Sequence, residues 1–226
     1  KYAVREYIAE KLGEEYLIPL LGVWDDPHEI DFDALPNQFV LKWNHDSGSV
    51  VICKDKAKLN IAETVAMLAS KKSHNGYWYG REWPYKNVKP RIIAEQYMED
   101  IKTSELRDYK FFCFDGVAKA LFVATERQKE NEEVKFDFYD MDFRHLDLQQ
   151  GHPNADIAPA KPDNFEEMRR LAEILSTGIP HLRVDFYEVN GKIYFGELTF
   201  SHFSGLMPFD PKEWDNKLGD MLMLTK

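Results

Sequence analysis

Residues 182–199 read LRVDFYEVNGKIYFGELT, and this stretch decides the fold class. Aliphatic and aromatic residues fill 182–187 and 193–199 around Val189-Asn190-Gly191, a pattern that predicts an antiparallel hairpin. Arg183, Asp185, Glu197 and Thr199 alternate with Val184, Phe186 and Leu198, so the loop length decides which of them share a face. A two-residue Asn190-Gly191 turn sets Asp185 opposite Gly196 and puts Asp185 and Glu197 on opposite faces. A three-residue loop with Gly191 left-handed pairs Glu188 with Lys192 and Arg183 with Glu197. The second is the expectation, because both faces then become chemically coherent. Arg183, Asp185, Glu197 and Thr199 gather on one, and Val184, Phe186, Tyr194 and Leu198 on the other. Two carboxylates and a hydroxyl on one surface suit a hard cation that keeps phosphate or water as its other ligands. The competing account is a surface ion pair between Arg183 and Glu197, which contributes little.

Outward from this hairpin the chain predicts an α+β protein. Helical spacing of Val4, Ile8 and Leu12 gives a short helix ending at Gly13. Strands at 39–43 and 50–53 flank the small polar run 44–49. A helix over 61–72 follows, capped by Asn60, with Ile61, Val65 and Leu68 along one face. Residues 73–90 carry Tyr77, Trp78, Tyr79, Trp83 and Tyr85 and read as a long loop. A strand over 91–98, a hairpin turning at Asp115-Gly116, a charged solvated loop at 126–133 and a strand at 134–139 come next. A helix over 164–177 presents Met168, Leu171, Ile174 and Leu175, and Asp210 and Pro211 start a last helix. The elements divide into a remnant at 1–35, a small lobe at 36–98 and a large lobe at 99–226. Each lobe is an antiparallel sheet backed by helix, and the cleft between lobes is the expected ligand site.

The chain has 226 residues, 44% of them hydrophobic, enough to build such cores. Its 29 Lys and Arg against 39 Asp and Glu give a net charge of -10, which disfavours nucleic acid and anionic membrane as partners. A bound polyanion therefore needs a local basic pocket. Cys53 and Cys113 show no metal-ligand or disulfide spacing, and a reducing cytoplasm is the expected location. No apolar run suits a membrane span, and the sequence shows no basic-then-apolar leader.

Two further segments point toward a nucleotide. Lys42 ends an apolar strand beside Ser47, Gly48 and Ser49, whose backbone N–H groups can turn toward phosphate, although the run is neither a Walker A motif nor G-x-G-x-x-G. The strand Ile92 to Met98 offers, at Gln96, Tyr97 and Met98, main-chain hydrogen bonds and an apolar wall for a purine. The chain thus resembles ATP-grasp enzymes, and more closely the TupA-like branch associated with bacterial surface-polysaccharide genes. The resemblance is carried by VREY (4–7), GEEYLIPLLGVW (13–24), LPNQFVLK (35–42), SGS (47–49), KPRII (89–93), YKF (109–111), RVD (183–185), YFGELTF (194–200) and FDPKEWD (209–215). The family's further N-terminal residues imply that the chain starts inside its first lobe.

The resemblance implies ATP and Mg2+ as cofactors. Lys42 falls at the phosphate-contacting lysine and Ser47, Gly48 and Ser49 at the phosphate-covering loop. Glu95, Gln96, Tyr97 and Met98 fall on the adenine hinge, Asp108 near the ribose-binding acid, and Lys110 near a basic residue of the next strand. Arg144 replaces a phosphate-binding lysine. Asp185 and Glu197 match the metal pair, and Arg183 the arginine that steadies the acyl group. Thr199 stands where asparagine is usual, and Ser201-His202-Phe203-Ser204 where Thr-Pro-Gly-Ser is expected. The implied reaction joins a carboxylate to an amine through an acyl phosphate, with a uronic acid of capsule, teichuronopeptide or O-antigen and an amino acid or amine as partners. The alternative is a non-catalytic carbohydrate- or nucleotide-binding module whose aromatic run stacks on sugars. A metal hydrolase built on His145, His152, His181 and His202 lacks ligand spacing, and histidines in loops are usually solvated.

Overall fold

A computed structural model describes residues 1–127 and 132–224. The charged run predicted at 126–133 therefore lies partly outside the described residues, at 128–131. The chain forms two compact units. One comprises Lys1–Ala9 with Leu17–Met98, the other Glu10–Tyr16 with Glu99–Lys226.

The first unit holds most of α1 (Val4–Lys11), with β1 (Leu20–Trp24), β2 (Phe39–Trp43), β3 (Val50–Cys53), α2 (Ile61–Lys71), α3 (Gly76–Gly80) and β4 (Ile92–Gln96). Its antiparallel sheet has the order β1-β4-β2-β3. Alternation along β2 sends Phe39, Leu41 and Trp43 into a core with Cys53, Leu68, Ile92 and Ala94. Trp43 Nε1 donates to the Leu68 carbonyl of α2 at 2.9 Å, so the ring is buried with its polar atom satisfied. Asn60 caps α2 as expected, its Oδ1 accepting from Glu63 N at 3.1 Å. The apolar face of α2 differs from expectation, since Thr64 and Leu68 are buried while Ile61 is exposed. The run 73–90 is not one loop. Asn75 caps α3 by accepting from Tyr77 N, and its amide donates to the Tyr85 carbonyl, which organises the ring-rich segment into two short helical turns.

The second unit holds β5 (Asp108–Phe114), β6 (Val117–Thr125), β7 (Lys135–Tyr139), α4 (Phe165–Ser176), β8 (Leu182–Val189), β9 (Lys192–Thr199) and α5 (Glu213–Gly219), with the sheet order β7-β6-β5-β8-β9. One face of the sheet packs Phe111, Val184 and Phe186 against Phe165, Met168, Leu171 and Leu175 of α4. Ile174, expected on that apolar face, is exposed. The opposite face carries Phe112, Phe122, Phe136 and Phe138, covered by Phe203, Phe209, Trp214 and Leu218 from the C-terminal segment. Asp210 does not cap α5. Its backbone pairs with Gln149 in both directions, and the helix starts at Glu213. Cys53 and Cys113 are buried and free.

The β8–β9 hairpin follows neither predicted register. Its turn is the two-residue Asn190-Gly191, with both residues left-handed (φ 53° and 77°), and Val189 pairs with Lys192. Phe186 then pairs with Phe195, but beyond them the register shifts, and Asp185 pairs with Glu197 and Arg183 with Thr199. A bulge at Gly196 absorbs the extra residue. It also puts Phe195, not Tyr194, on the apolar face, while Tyr194 pairs with Tyr187. A Cβ at Gly196 would lie 3.1 Å from the Asp185 carbonyl oxygen and 3.2 Å from Tyr187 Cε2. Gly196→Val is therefore expected to destabilise by roughly 1–3 kcal/mol and lower the melting temperature by several degrees. Thermal unfolding followed by circular dichroism checks this, and an unchanged midpoint contradicts the bulge as drawn.

Candidate active site

In the second unit the bulge brings four predicted residues onto one face: Arg183, Asp185, Glu197 and Thr199. Pairing with β5 adds Asp108 opposite Tyr187 and Lys110 opposite Asp185. Asp185 is 1% exposed. Arg183 grips it with two parallel hydrogen bonds, Nε to Oδ1 and Nη2 to Oδ2, both 2.8 Å. Lys110 Nζ donates to the same Oδ2 and lies 3.4 Å from Asp108, whose carboxylate also pairs with Arg127. Arg183 Nη2 reaches Glu197 Oε2 at 3.8 Å, and its Nη1 meets His202 Nδ1 at 2.5 Å. The result is a buried lattice in which Asp108 and Asp185 each lie between two cations.

Burial alone would raise the Asp185 pKa. The charges and hydrogen bonds of Arg183 and Lys110 outweigh it and hold the carboxyl at about 2. The group is ionised whenever the protein is folded near neutrality.

The donor set fits a hard cation that brings its own further ligands. Thr199 Oγ1 is buried with no hydrogen-bond partner, on the face that Asp185 and Glu197 share. Among the described residues no group of three or more His, Cys, Asp or Glu is arranged for a metal. Two acids and a hydroxyl therefore suit an ion carried on phosphate oxygens better than a metal held by protein alone.

In the first unit Lys42 and Glu95 lie on the face of the sheet opposite Trp43. Lys42 Nζ stands 2.5 Å from Glu95 Oε2, and Arg5 Nη1 donates to Oε1 at 3.2 Å. Glu95 is thus an ion-pair anchor through its side chain. Gln96 N donates to the Pro19 carbonyl at 3.0 Å, Tyr97 lies under Lys54, and Met98 is the last residue of this unit. In the predicted phosphate loop, Asp46 accepts from the Ser49 hydroxyl, and Lys1 donates to the Asp46 carbonyl. Gly48 is left-handed (φ 105°), with no atom within 4 Å of where a Cβ would stand. The loop borders a pocket of about 390 Å³ together with Lys71, His74 and Tyr79.

Arg144 stands apart from these groups. It lies in the turn after β7, an edge strand, and pairs with Asp142 at 3.0 Å and Asp140 at 3.9 Å. Among the residues not predicted for the site are Arg5, Arg127 and His202, together with Gln150, whose Oε1 lies 2.7 Å from His202 Nε2. His202 is not a solvated loop residue, because it bonds Arg183 and packs on Phe112.

A family model described as TupA-like ATPgrasp matches residues 1–223. The chain belongs to the TupA-like ATP-grasp family. Its fold is that of D-alanine–D-alanine ligase from Bacillus anthracis, which it matches with a TM-score of 0.52 at 16% identity over 97% of this chain and 64% of that one. The same ligase complexed with ATP matches with a TM-score of 0.52 at 16% identity, covering 97% of this chain and 63% of the other. The TupA-like chain thus spans under two thirds of the length of the ligase it matches. No curated protein matches its sequence. Among the described residues no helix is long and apolar enough to cross a membrane.

The Asp185 lattice has a pH signature. Its folded pKa of about 2 lies below the ordinary 3.8, so its contribution to stability is complete above about pH 4 and is lost as pH falls toward 2. Wild type is expected to lose more stability over that interval than Asp185→Asn, measured by urea unfolding at each pH. Parallel pH dependences would show that Asp185 is not held ionised by its partners.

Proposed function

We propose that this TupA-like chain carries the ATP-handling part of an ADP-forming carboxylate–amine ligase. The observation that carries the reading is the Arg183–Asp185–Lys110 cluster beside Glu197 and Thr199, on the sheet of an ATP-grasp fold. In this reaction a carboxylate oxygen attacks the γ-phosphorus of ATP, the bond to the β–γ bridging oxygen breaks, and ADP leaves an acyl phosphate. An amine then adds to the acyl carbon, loses a proton and expels phosphate, leaving an amide.

The chain's part is electrostatic, because both steps develop negative charge on oxygens. Lys42 and the Ser47-Gly48-Ser49 loop are assigned to the phosphates, and Gln96, Tyr97 and Met98 to the base. Asp108 is assigned to the ribose, and Arg183 to the acyl oxygen. Lys110 keeps Asp185 ionised. Asp185 and Glu197, with Thr199, would hold Mg2+, which when bound neutralises phosphate charge. Arg144, exposed and paired within its own turn, has no support beyond the resemblance, and Arg144→Ala is not expected to reduce turnover strongly.

For substrates we propose a uronic-acid-type carboxylate of a capsule, teichuronopeptide or O-antigen precursor, joined to an amino acid or amine in the cytoplasm. One structural feature favours a carbohydrate ligand. Trp78, Tyr79 and Trp83 are 66%, 75% and 66% exposed, with Arg81 near Trp78 and Lys86 4.2 Å above Trp83. Exposed rings flanked by cations suit the faces and carboxylates of acidic sugars. The same feature is what a non-catalytic carbohydrate-binding module would use.

ADP release with Mg2+ and ATP, screened over uronic acids and amino acids with mass spectrometry of the product, separates the two readings. Lys42→Ala and Glu197→Gln are each expected to slow ADP release by about a hundredfold or more with little change in melting temperature. Full turnover by Glu197→Gln would refute its assigned role. Trp78→Ala is expected to raise the KM for a sugar substrate and leave that for ATP unchanged. Equal KM values for the sugar would assign the rings to packing.

A further inference from the structure

The turn after β9 holds an unusual backbone. Phe203 (φ 47°), Ser204 (φ 55°) and Gly205 (φ 70°) are three consecutive left-handed residues, of which only the glycine adopts that conformation freely. Such a run persists where neighbouring contacts fix it. Those contacts centre on His202, whose ring lies 5.2 Å from Phe112, 5.3 Å from Phe122 and 4.5 Å from Phe203.

The polar edge of that ring is held in one direction only. Arg183 Nη1 stands 2.5 Å from His202 Nδ1, and a guanidinium only donates, so Nδ1 carries no proton. The ring proton is on Nε2, which donates to Gln150 Oε1 at 2.7 Å. Gln150 Nε2 donates in turn to the Met207 carbonyl at 2.8 Å. Turning the Gln150 amide over would set its NH2 against the imidazole N–H and its oxygen against a carbonyl, so the amide supports a single tautomer. Burial and the neighbouring Arg183 charge push the His202 pKa down to about 3, consistent with a neutral ring.

This chain accounts for the last nitrogen of the arginine. Nε and Nη2 are both committed to Asp185 at 2.8 Å, and Nη1 is the nitrogen His202 takes. We propose that His202 is a positioning residue for the ligation. It is a neutral acceptor that fixes Arg183 Nη1, with Gln150 setting its tautomer and tying the arginine to the 201–207 turn. The proposal rests on the ligase reading, since Arg183 is the group it serves. A substrate that reshapes the turn would then move the arginine with it.

Three variants separate this role from packing. His202→Asn keeps an acceptor oxygen near the place of Nδ1 but loses the ring. His202→Phe keeps ring packing but removes the acceptor. Gln150→Leu removes the group that sets the tautomer. For the whole chain, imidazole 15N shifts are expected to show one Nε2–H tautomer that does not titrate between about pH 5 and 8. With a substrate pair from the ADP-release screen, His202→Phe and Gln150→Leu are expected to lower kcat by about tenfold or more with the KM for ATP unchanged. His202→Asn is expected to recover most of that kcat. A ring that titrates in this range or carries its proton on Nδ1 would overturn the proposal, as would Asn and Phe variants that are equally slow. Absence of ADP release by wild type with every pair would sink the ligase reading and the purpose assigned to His202. The ring shifts would still report separately whether the Arg183–His202–Gln150 link exists.

Discussion

The buried carboxylate of Asp185, gripped by Arg183 from one side and approached by Lys110 from the neighbouring strand, is the constraint on which the second unit depends. A carboxylate with 1% exposure in an antiparallel sheet is unfavourable unless its charge is matched and its oxygens are bonded. Two cations on β5 and β8 supply both, but only if these strands keep the register that sets Lys110 opposite Asp185. The Gly196 bulge does the same for β9, because a slip of one residue would carry Glu197 and Thr199 to the face that packs on α4. The same pairing that satisfies the ion lattice leaves phenylalanines on the rest of the face for the C-terminal segment to cover.

Much of this was legible in the sequence, and the part that was not has identifiable causes. The hairpin itself was readable from Asn190-Gly191 and from alternation, and the gathering of Arg183, Asp185, Glu197 and Thr199 on one face holds in the structure. The route to it differs, since a two-residue turn and a bulge replace a three-residue loop. The signal was present. An isolated glycine inside a strand pattern, Gly196, marks a bulge, which neither turn length by itself includes. The helix faces failed at Ile61 and Ile174 because periodicity gives the stripe without its edges, which depend on what packs there. The run 73–90 looked irregular because its order comes from Asn75 bonding at both ends of the segment, a contact that composition does not encode.

The site residues divide in the same way. Arg183, Asp185 and Lys42 sit in strands whose alternation fixes their faces. Arg127 and Gln150 sit in irregular segments and join the cluster only through tertiary contacts. His202 is no solvated loop residue, since both ring nitrogens have protein partners and the ring packs on Phe112. Its role depends on the arginine across the sheet, and nothing in the local sequence points to that partner. Glu95, which the resemblance puts on the adenine hinge, has a side chain that joins Lys42 to Arg5.

A recurring charge pattern bears on how a chain of net charge -10 can hold a polyanion. Glu95 lies between Lys42 and Arg5, Asp185 between Arg183 and Lys110, and Asp108 between Lys110 and Arg127. Cations packed this densely without carboxylates would repel one another and lower the stability of the unliganded protein. With one acid between each pair, the cations are held in place by contacts of opposite charge. In the proposed ligation, positions set in this way would leave little reorganisation when charge develops on a phosphoryl or acyl oxygen. The excess acid elsewhere acts at longer range, where salt screens it over about 8 Å, and does not cancel a field built from contacts of 3 Å or so. Local matching of charge, rather than a basic surface, would thus reconcile the overall acidity of the protein with the triphosphate ligand proposed for it.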